Sequence, residues 1–246
     1  MIKETEFGTR MWCSLDDRAI SRPILLNAYE PAETRLILRT LQPGDFAIDV
    51  GANIGYYSLL FAKLVGETGH VAAFEPLAYL ADALCASVQE NGFQSRVTVH
   101  RSALDEHAGR HLIRHAPRTA NFGGAHLAPS SPLPPAHVDE TVVTVRLDDV
   151  DFGRRCNFLK IDAEGAEPRV IRGAVATLAA GRPVILAELH DDQLAVVSRS
   201  SATDFISQMA ALDYRCSLLN ADGSRGSILD RYAAKTAVNV VFDPMR

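Results

Sequence analysis

The spacing of apolar residues changes period along the chain. Short, largely apolar runs at 46–50, 70–75, 97–101, 157–162 and 183–189 alternate with stretches in which apolar residues recur every three or four positions. Continuous short runs predict strands covered on both faces, and the longer period predicts amphipathic helices. One helix is predicted near 54–65, with Tyr57, Leu60, Phe61 and Leu64 on one stripe. A second is predicted near 77–91 from Leu77, Ala81, Leu84 and Val88, stopping at Asn91-Gly92. Ile171, Ala174, Val175 and Leu178 mark a third that ends near Gly181, and a fourth falls near 202–212. An earlier helix opens at Pro31, carries Leu36, Ile37, Thr40 and Leu41, and is ended by Pro43-Gly44-Asp45.

Strands alternating with helices predict an α/β fold with a doubly wound, mostly parallel sheet. The last two strands, around 214–219 and 236–242, are joined by a loop of only about fifteen residues containing Asn220-Ala221-Asp222-Gly223, which favours an antiparallel pair. Residues 7–29, patterned around Asp16-Asp17, suggest a β-hairpin. The expected organisation is therefore an N-terminal β element within 1–30 ahead of one domain over 31–246. Residues 116–139 are rich in Pro, Gly, Ala, Ser and His and lie between strand-like pieces near 109–115 and 140–146. A loop of this length reads as a lid or substrate loop, with a plain insertion as the alternative.

Composition narrows the picture. The formal net charge is −5 and no Lys/Arg run occurs, which argues against a nucleic-acid partner. No apolar stretch approaches the ~20 residues that span a bilayer, and the N-terminal MIKETEFGTR does not read as a secretory signal. Cys13, Cys85, Cys156 and Cys216 are scattered without a C-x-x-C pair, so buried reduced thiols in a cytoplasmic protein are expected.

The chemistry starts at DVGANIGYY, 49–57. In an open parallel sheet, ligands sit beyond the carboxyl ends of the strands, and this loop follows the first clear strand. The G-x-G-x-x-G fingerprint fails, because Asn53 and Tyr56 stand where glycines would be needed, and no G-K-[ST] completes a P-loop. What remains is Asp49, Gly51, Asn53 and Gly55 as D-x-G-x-N-x-G, with Glu75 ending the next strand. A carboxylate at that place suits the two hydroxyls of a ribose. An acid where phosphate would be expected suits a cationic ligand. S-adenosyl-L-methionine has both features.

The blocks GDFAIDVGANIGYYSLLFA (44–62), VAAFEP (71–76) and FLKIDAEGAE (158–167), with YEPAE (29–33), VRLDD (145–149) and VILAELH (184–190), resemble the FkbM-type family of S-adenosylmethionine-dependent methyltransferases over about residues 29–190. The resemblance implies a class I, Rossmann-like methyltransferase fold with a seven-stranded sheet whose last strand is antiparallel. It also implies O-methylation of a hydroxyl, often on a sugar or natural product. Carried over by position, Asp49, Gly51, Asn53 and Gly55 would hold the methionine end, Glu75 the ribose, and Ser102, Ala103 and Leu104 would flank the adenine.

A second acidic block, KIDAEGAE, brings Asp162 and Glu164 to the same sheet edge, where an acceptor would meet the methyl group; Asp162 also adjoins the cofactor loop. Glu167, before Pro168, reads as a helix-dipole partner, and Lys160 reads equally as a salt-bridge or a catalytic residue. Methyl transfer to an alcohol needs alignment and removal of the hydroxyl proton. His190, directly after the fifth of the parallel strands, is the candidate base, since imidazole ordinarily titrates near ~6.5. Asp162 with Glu188 or Asp191 could instead hold Mg²⁺ through hard oxygen ligands. Asn121 and His126 are candidate substrate contacts. The expectation is an O-methyltransferase acting on a small hydroxylated acceptor. N-methyl, peptide- or lipid-directed transfer on the same fold, a nucleotide-dependent oxidoreductase and a non-catalytic cofactor-binding protein are the competitors.

Overall fold

The computed structural model describes residues 1–115, 125–127, 137–232 and 236–245. The chain opens with β1 (Ile2–Glu4), β2 (Arg10–Trp12), α1 (Ser21–Leu25) and α2 (Pro31–Thr40). The first βαβαβ run is β3 (Phe46–Val50), α3 (Tyr56–Val65), β4 (His70–Phe74), α4 (Ala78–Glu90) and β5 (Val97–His100). Four short strands follow: β6 (Ala103–Leu104), β7 (Gly109–His115), β8 (His126–Leu127) and β9 (Val138–Val145). Next come β10 (Phe158–Ile161), α5 (Glu167–Arg172), α6 (Val175–Gly181), β11 (Val184–Leu189), α7 (Asp191–Val197) and α8 (Ala202–Ala210). The chain closes with β12 (Tyr214–Leu219), β13 (Arg225–Ile228) and β14 (Val238–Pro244).

The main sheet runs β13-β12-β14-β11-β10-β3-β4-β5. From β5 to β11 neighbouring strands are parallel, and β14 is antiparallel to β11 and β12. Because side chains alternate along a strand, β3 sends Ala47 and Asp49 to one face and Phe46, Ile48 and Val50 to the other. The first face packs under α2, α3 and α4, with Phe61 edge-on to Phe158 at 5.5 Å. The second packs against α5 to α8 through residues such as Ile171, Leu178, Leu194 and Phe205.

The sheet has eight strands where seven were expected. The extra one, β13, is made by the Asn220–Ser224 turn, where Asn220 N–H donates to the Ser224 carbonyl at 2.9 Å and Gly223 sits at φ 79°. Arg225 then pairs with Asp243 across the sheet edge at 2.6 Å. The single helix expected through 171–178 is split into α5 and α6 at Gly173, where a β-carbon would lie 2.2 Å from the Asp105 carbonyl oxygen. The hairpin lies at 2–12 rather than around Asp16-Asp17, whose role differs. The Asp17 carboxylate accepts from the N–H groups of Ala19, Ile20 and Ser21 and so nucleates α1. The strand-like pieces near 109–115 and 140–146 pair with each other in a separate sheet, β6-β9-β7-β8. Of the expected lid, 116–124 and 128–136 lie outside the described residues. No helix among the described residues is long and apolar enough to cross a membrane.

The fold reverses direction beside β3: β4 lies on one side of it and β10 on the other. This switch point brings the loop after β3 against the loop after β10. Gly51 has φ 74°, and a β-carbon there would lie 1.9 Å from the Asp162 carbonyl oxygen. Only a bare backbone passes. Gly51→Ala is therefore expected to cost roughly 2–4 kcal/mol, read as a lowered denaturation midpoint; an unchanged midpoint would show that the two loops separate freely.

Candidate functional site

A cavity of about 410 Å³ opens at the switch point. One end is walled by Gly51–Gly55, Phe74, Glu75, Ala103 and Leu104, and the other by Tyr29, Glu30, Asp162, Glu164, Glu188 and His190. The two ends are one continuous space.

The glycine end is built from backbone. Gly51 and Ala52 N–H both donate to the Phe74 carbonyl at 3.0 Å, tying the loop to β4. Asn53 takes φ 51° and its N–H donates to Glu75 Oε2 at 2.9 Å, while Leu77 N–H donates to Oε1 at 2.9 Å. Glu75 is thereby fixed at the cavity wall with spare lone pairs on both oxygens. Burial pushes its carboxyl up to about 7, against those two N–H donors. Ala103 and Leu104 line the cavity, whereas Ser102 is buried outside the lining. Arg169 grips Asp105 through both guanidinium branches at 2.7 and 2.6 Å, locking the segment after β5 against α5. Asp49 lies beneath the loop rather than in the wall. It is fully buried, accepts from Ser58 Oγ at 2.6 Å, and has one oxygen without a partner.

The opposite end is acidic. Lys160 Nζ contacts Asp162 at 3.0 Å and lies 4.7 Å from the centroid of the Tyr57 ring. Burial alone would lower this ammonium, but Asp162, Asp49 and Glu30 outweigh it and hold it above its ordinary value. Glu164, at φ 51°, accepts from Gln193 Nε2 and is pushed well above the carboxylate range by burial and by Asp162, Glu188 and Glu167. Burial, Asp162 and Glu167 raise Glu188 to about 7. His190 caps α7 with extended backbone, faces the cavity, and has a buried Nδ1 without a partner. His126, on β8, also reaches the wall, and Asn121 lies outside the described residues.

The remaining expectations separate. The buried Glu167 carboxylate receives Ala163 N–H at 2.9 Å and Gly165 N–H at 3.3 Å, so it braces the turn under the cavity as well as heading α5. Asp191 accepts from Ala202 N–H at 2.7 Å, joining α7 to α8 off the cavity lining. That separates it from Asp162 and Glu188. Among the described residues no group of three or more His, Cys, Asp or Glu side chains is placed to hold a metal ion.

A loop of bare backbone, a doubly anchored carboxylate at the next strand end and an acid-rich far wall fit a ligand with a ribose and a positive charge. Fold and site define a class I methyltransferase. A family model for the methyltransferase FkbM domain matches residues 49–216. The chain is 31% identical over 180 residues to 31-O-demethyl-FK506 methyltransferase FkbM of Streptomyces tacrolimicus, covering 61% of this chain and 67% of that protein. Two solved structures share the fold. A SAM-dependent O-methyltransferase of Thermotoga maritima aligns at TM-score 0.52 and 17% identity over 100% of this chain and 78% of its own. Methyltransferase FkbM of Methylobacillus flagellatus aligns at 0.51 and 16% over 83% and 48%. The chain belongs to the FkbM-type family of S-adenosylmethionine-dependent methyltransferases.

The buried acids set a pH dependence. Glu75 and Glu167 are shifted from 4.5 to about 7, so the native state retains protons that the unfolded chain releases. That stability is fully present below about 4.5 and is lost as pH rises through about 7. The melting temperature of the ligand-free protein is expected to fall between about pH 5 and pH 8, and less steeply in Glu167→Gln. A rise across that window would contradict the assignment.

Proposed function

We propose that the chain methylates a hydroxyl of a small acceptor, a sugar or secondary metabolite. The observation that carries this is the continuity of the cavity, which joins the glycine loop and Glu75 to the acidic wall with His190. When bound, S-adenosyl-L-methionine supplies an electrophilic methyl group on a sulfonium. Gly51, Asn53 and Gly55 would admit its methionine end by close backbone approach, over the buried Asp49 carboxyl. Glu75 would accept from the ribose hydroxyls, and Ala103 and Leu104 would flank the adenine, with Ser102 shaping their turn from behind.

Glu164 and Asp162 would orient the acceptor by accepting its hydroxyl donors, which is the positioning that an in-line displacement requires. His190 would take the hydroxyl proton, and His126 would contact the far part of the acceptor. A wall with five carboxylic residues and one ammonium, Lys160, disfavours an anionic acceptor. A nucleic acid is disfavoured on the same ground. The acceptor's hydroxyl chemistry is supported by the Streptomyces relative, whose name specifies an O-demethyl substrate. No step is assigned to Mg²⁺, because Asp191 is committed to α8 and Asp162 and Glu188 have no third ligating side chain placed with them among the described residues. The fold, the charge and the free cysteines are compatible with a cytoplasmic enzyme.

Titration calorimetry with S-adenosylhomocysteine tests the base of this reading; no heat at high micromolar ligand would sink it. Glu75→Ala is expected to weaken that binding at least tenfold, about 1.4 kcal/mol. With an acceptor found by screening hydroxylated metabolites against labelled donor, His190→Ala should lower kcat by 10²-fold or more and leave cofactor affinity within about twofold. A wild-type rate across pH would remove His190 from the base role.

A further inference from the structure

Glu30 has no part in the scheme above, yet it lines both the main cavity and a second, smaller one. It stands at φ 39°, a left-handed conformation that an L-residue adopts at a cost, immediately before Pro31 opens α2. The Tyr57 hydroxyl donates to Glu30 Oε2 and fixes the position of its side chain. The smaller pocket, about 20 Å³ and lined by Glu30, Glu33, Lys160, Asp162, Glu188 and Asn239, has room for about one water molecule. Glu30 therefore stands on the wall between the reaction space and a small polar pocket.

Its charge is incompletely matched. Facing Glu30 are Lys160 from β10, Asp162 just after it, Glu188 from β11, Tyr56 and Tyr57 from α3, and Tyr29 and Glu33 from its own segment. The Lys160 ammonium is engaged with Asp162 at 3.0 Å. Burial raises the Glu30 carboxyl to about 7 although Lys160 and the Tyr57 hydroxyl pull it down.

We propose that Glu30 is the charge-balancing carboxyl of the methyl-transfer cavity, losing a proton when a cationic donor enters and regaining one when the donor's charge is consumed. This rests on the methyltransferase reading. The proton count closes: a hydroxyl and a methylsulfonium become a methyl ether, a neutral thioether and one proton. The O–H and S–CH₃ bonds break and the O–CH₃ bond forms. His190 lifts the hydroxyl proton, and Glu30 is a carboxylate in the same cavity on which it ends. The charge of the cavity is then nearly the same before binding, with donor bound, and after transfer. Glu75 is less suited to this part, because the ribose assigned to it is common to donor and product and does not change charge during the transfer.

The test needs no acceptor. Calorimetry of S-adenosylmethionine and S-adenosylhomocysteine binding in buffers of different ionisation enthalpy counts the protons released by each ligand. The wild-type protein is expected to release about half a proton more with the sulfonium ligand near pH 7. Glu30→Gln should abolish that difference while keeping the homocysteine affinity within about twofold, and Glu30→Asp should restore it. Tyr57→Phe removes a donor to the ionised form, so it should enlarge the release, and it serves if Glu30→Gln does not fold. Equal proton counts for the two ligands in the wild type overturn the proposal. So does a difference that survives in Glu30→Gln or vanishes only in Glu188→Gln, which would give the role to Glu188. Failure of both ligands to bind overturns the cofactor reading itself, and this proposal with it.

Discussion

The buried ammonium of Lys160 is what allows carboxyl groups from four segments of the chain to meet in one cavity. Strand pairing aligns Lys160 with Asp49 across β10 and β3, and its side chain emerges on the α2–α4 face beside Asp162, Glu30 and the Tyr57 ring. Burying several carboxylates with no cation would either neutralise them by proton uptake or force the walls apart. With one ammonium among them, the wall keeps part of its charge and returns the rest as raised proton affinities. Lys160 does not neutralise the wall. It leaves a deficit of positive charge that a cationic ligand fills.

The glycine loop works on a different principle, geometry rather than charge. Gly51 lets the loop after β3 lie against the Asp162 carbonyl, and Gly55, at φ 95°, lets α3 start under Leu84. The first contact sets how far apart the two strand ends stand, and therefore how close the acids on the β10 side come to whatever lies on the loop. A rigid backbone seat at one end and an adjustable charge at the other is a sensible division for methyl transfer. The donor must be fixed, while the charge at its reacting end disappears during the reaction.

These two principles differ in how well they are written in the sequence. The glycine loop is local: Asp49, Gly51, Asn53 and Gly55 stand within seven residues, and Glu75 ends the very next strand, so spacing alone exposes them. The main strands also read correctly, because a strand buried on both faces is a continuous apolar run. Glu30 was not legible as a site residue. Its partners Tyr57, Lys160 and Glu188 are 27, 130 and 158 positions away, and Tyr57 reads as one more aromatic of a helix core stripe. Asp191 misled for the opposite reason, since adjacency to His190 suggested a shared site, while one further step along the chain turns it toward α8. The β13 strand was hidden in a turn-rich loop because only its pairing with β12 gives those polar residues a partner.

The same arrangement makes stability and function compete within one cavity. Each carboxyl held protonated by burial is a group the unfolded chain would rather ionise, so at neutral pH the ligand-free fold carries a cost that a better-packed apolar wall would not. Relief comes from a ligand that brings positive charge, and by linkage that relief appears as tighter binding and a more stable fold together. A neutral product brings less of it. The wall that weakens the empty protein is, on this account, what separates donor from product, and evolution toward a more stable empty enzyme would erode that discrimination.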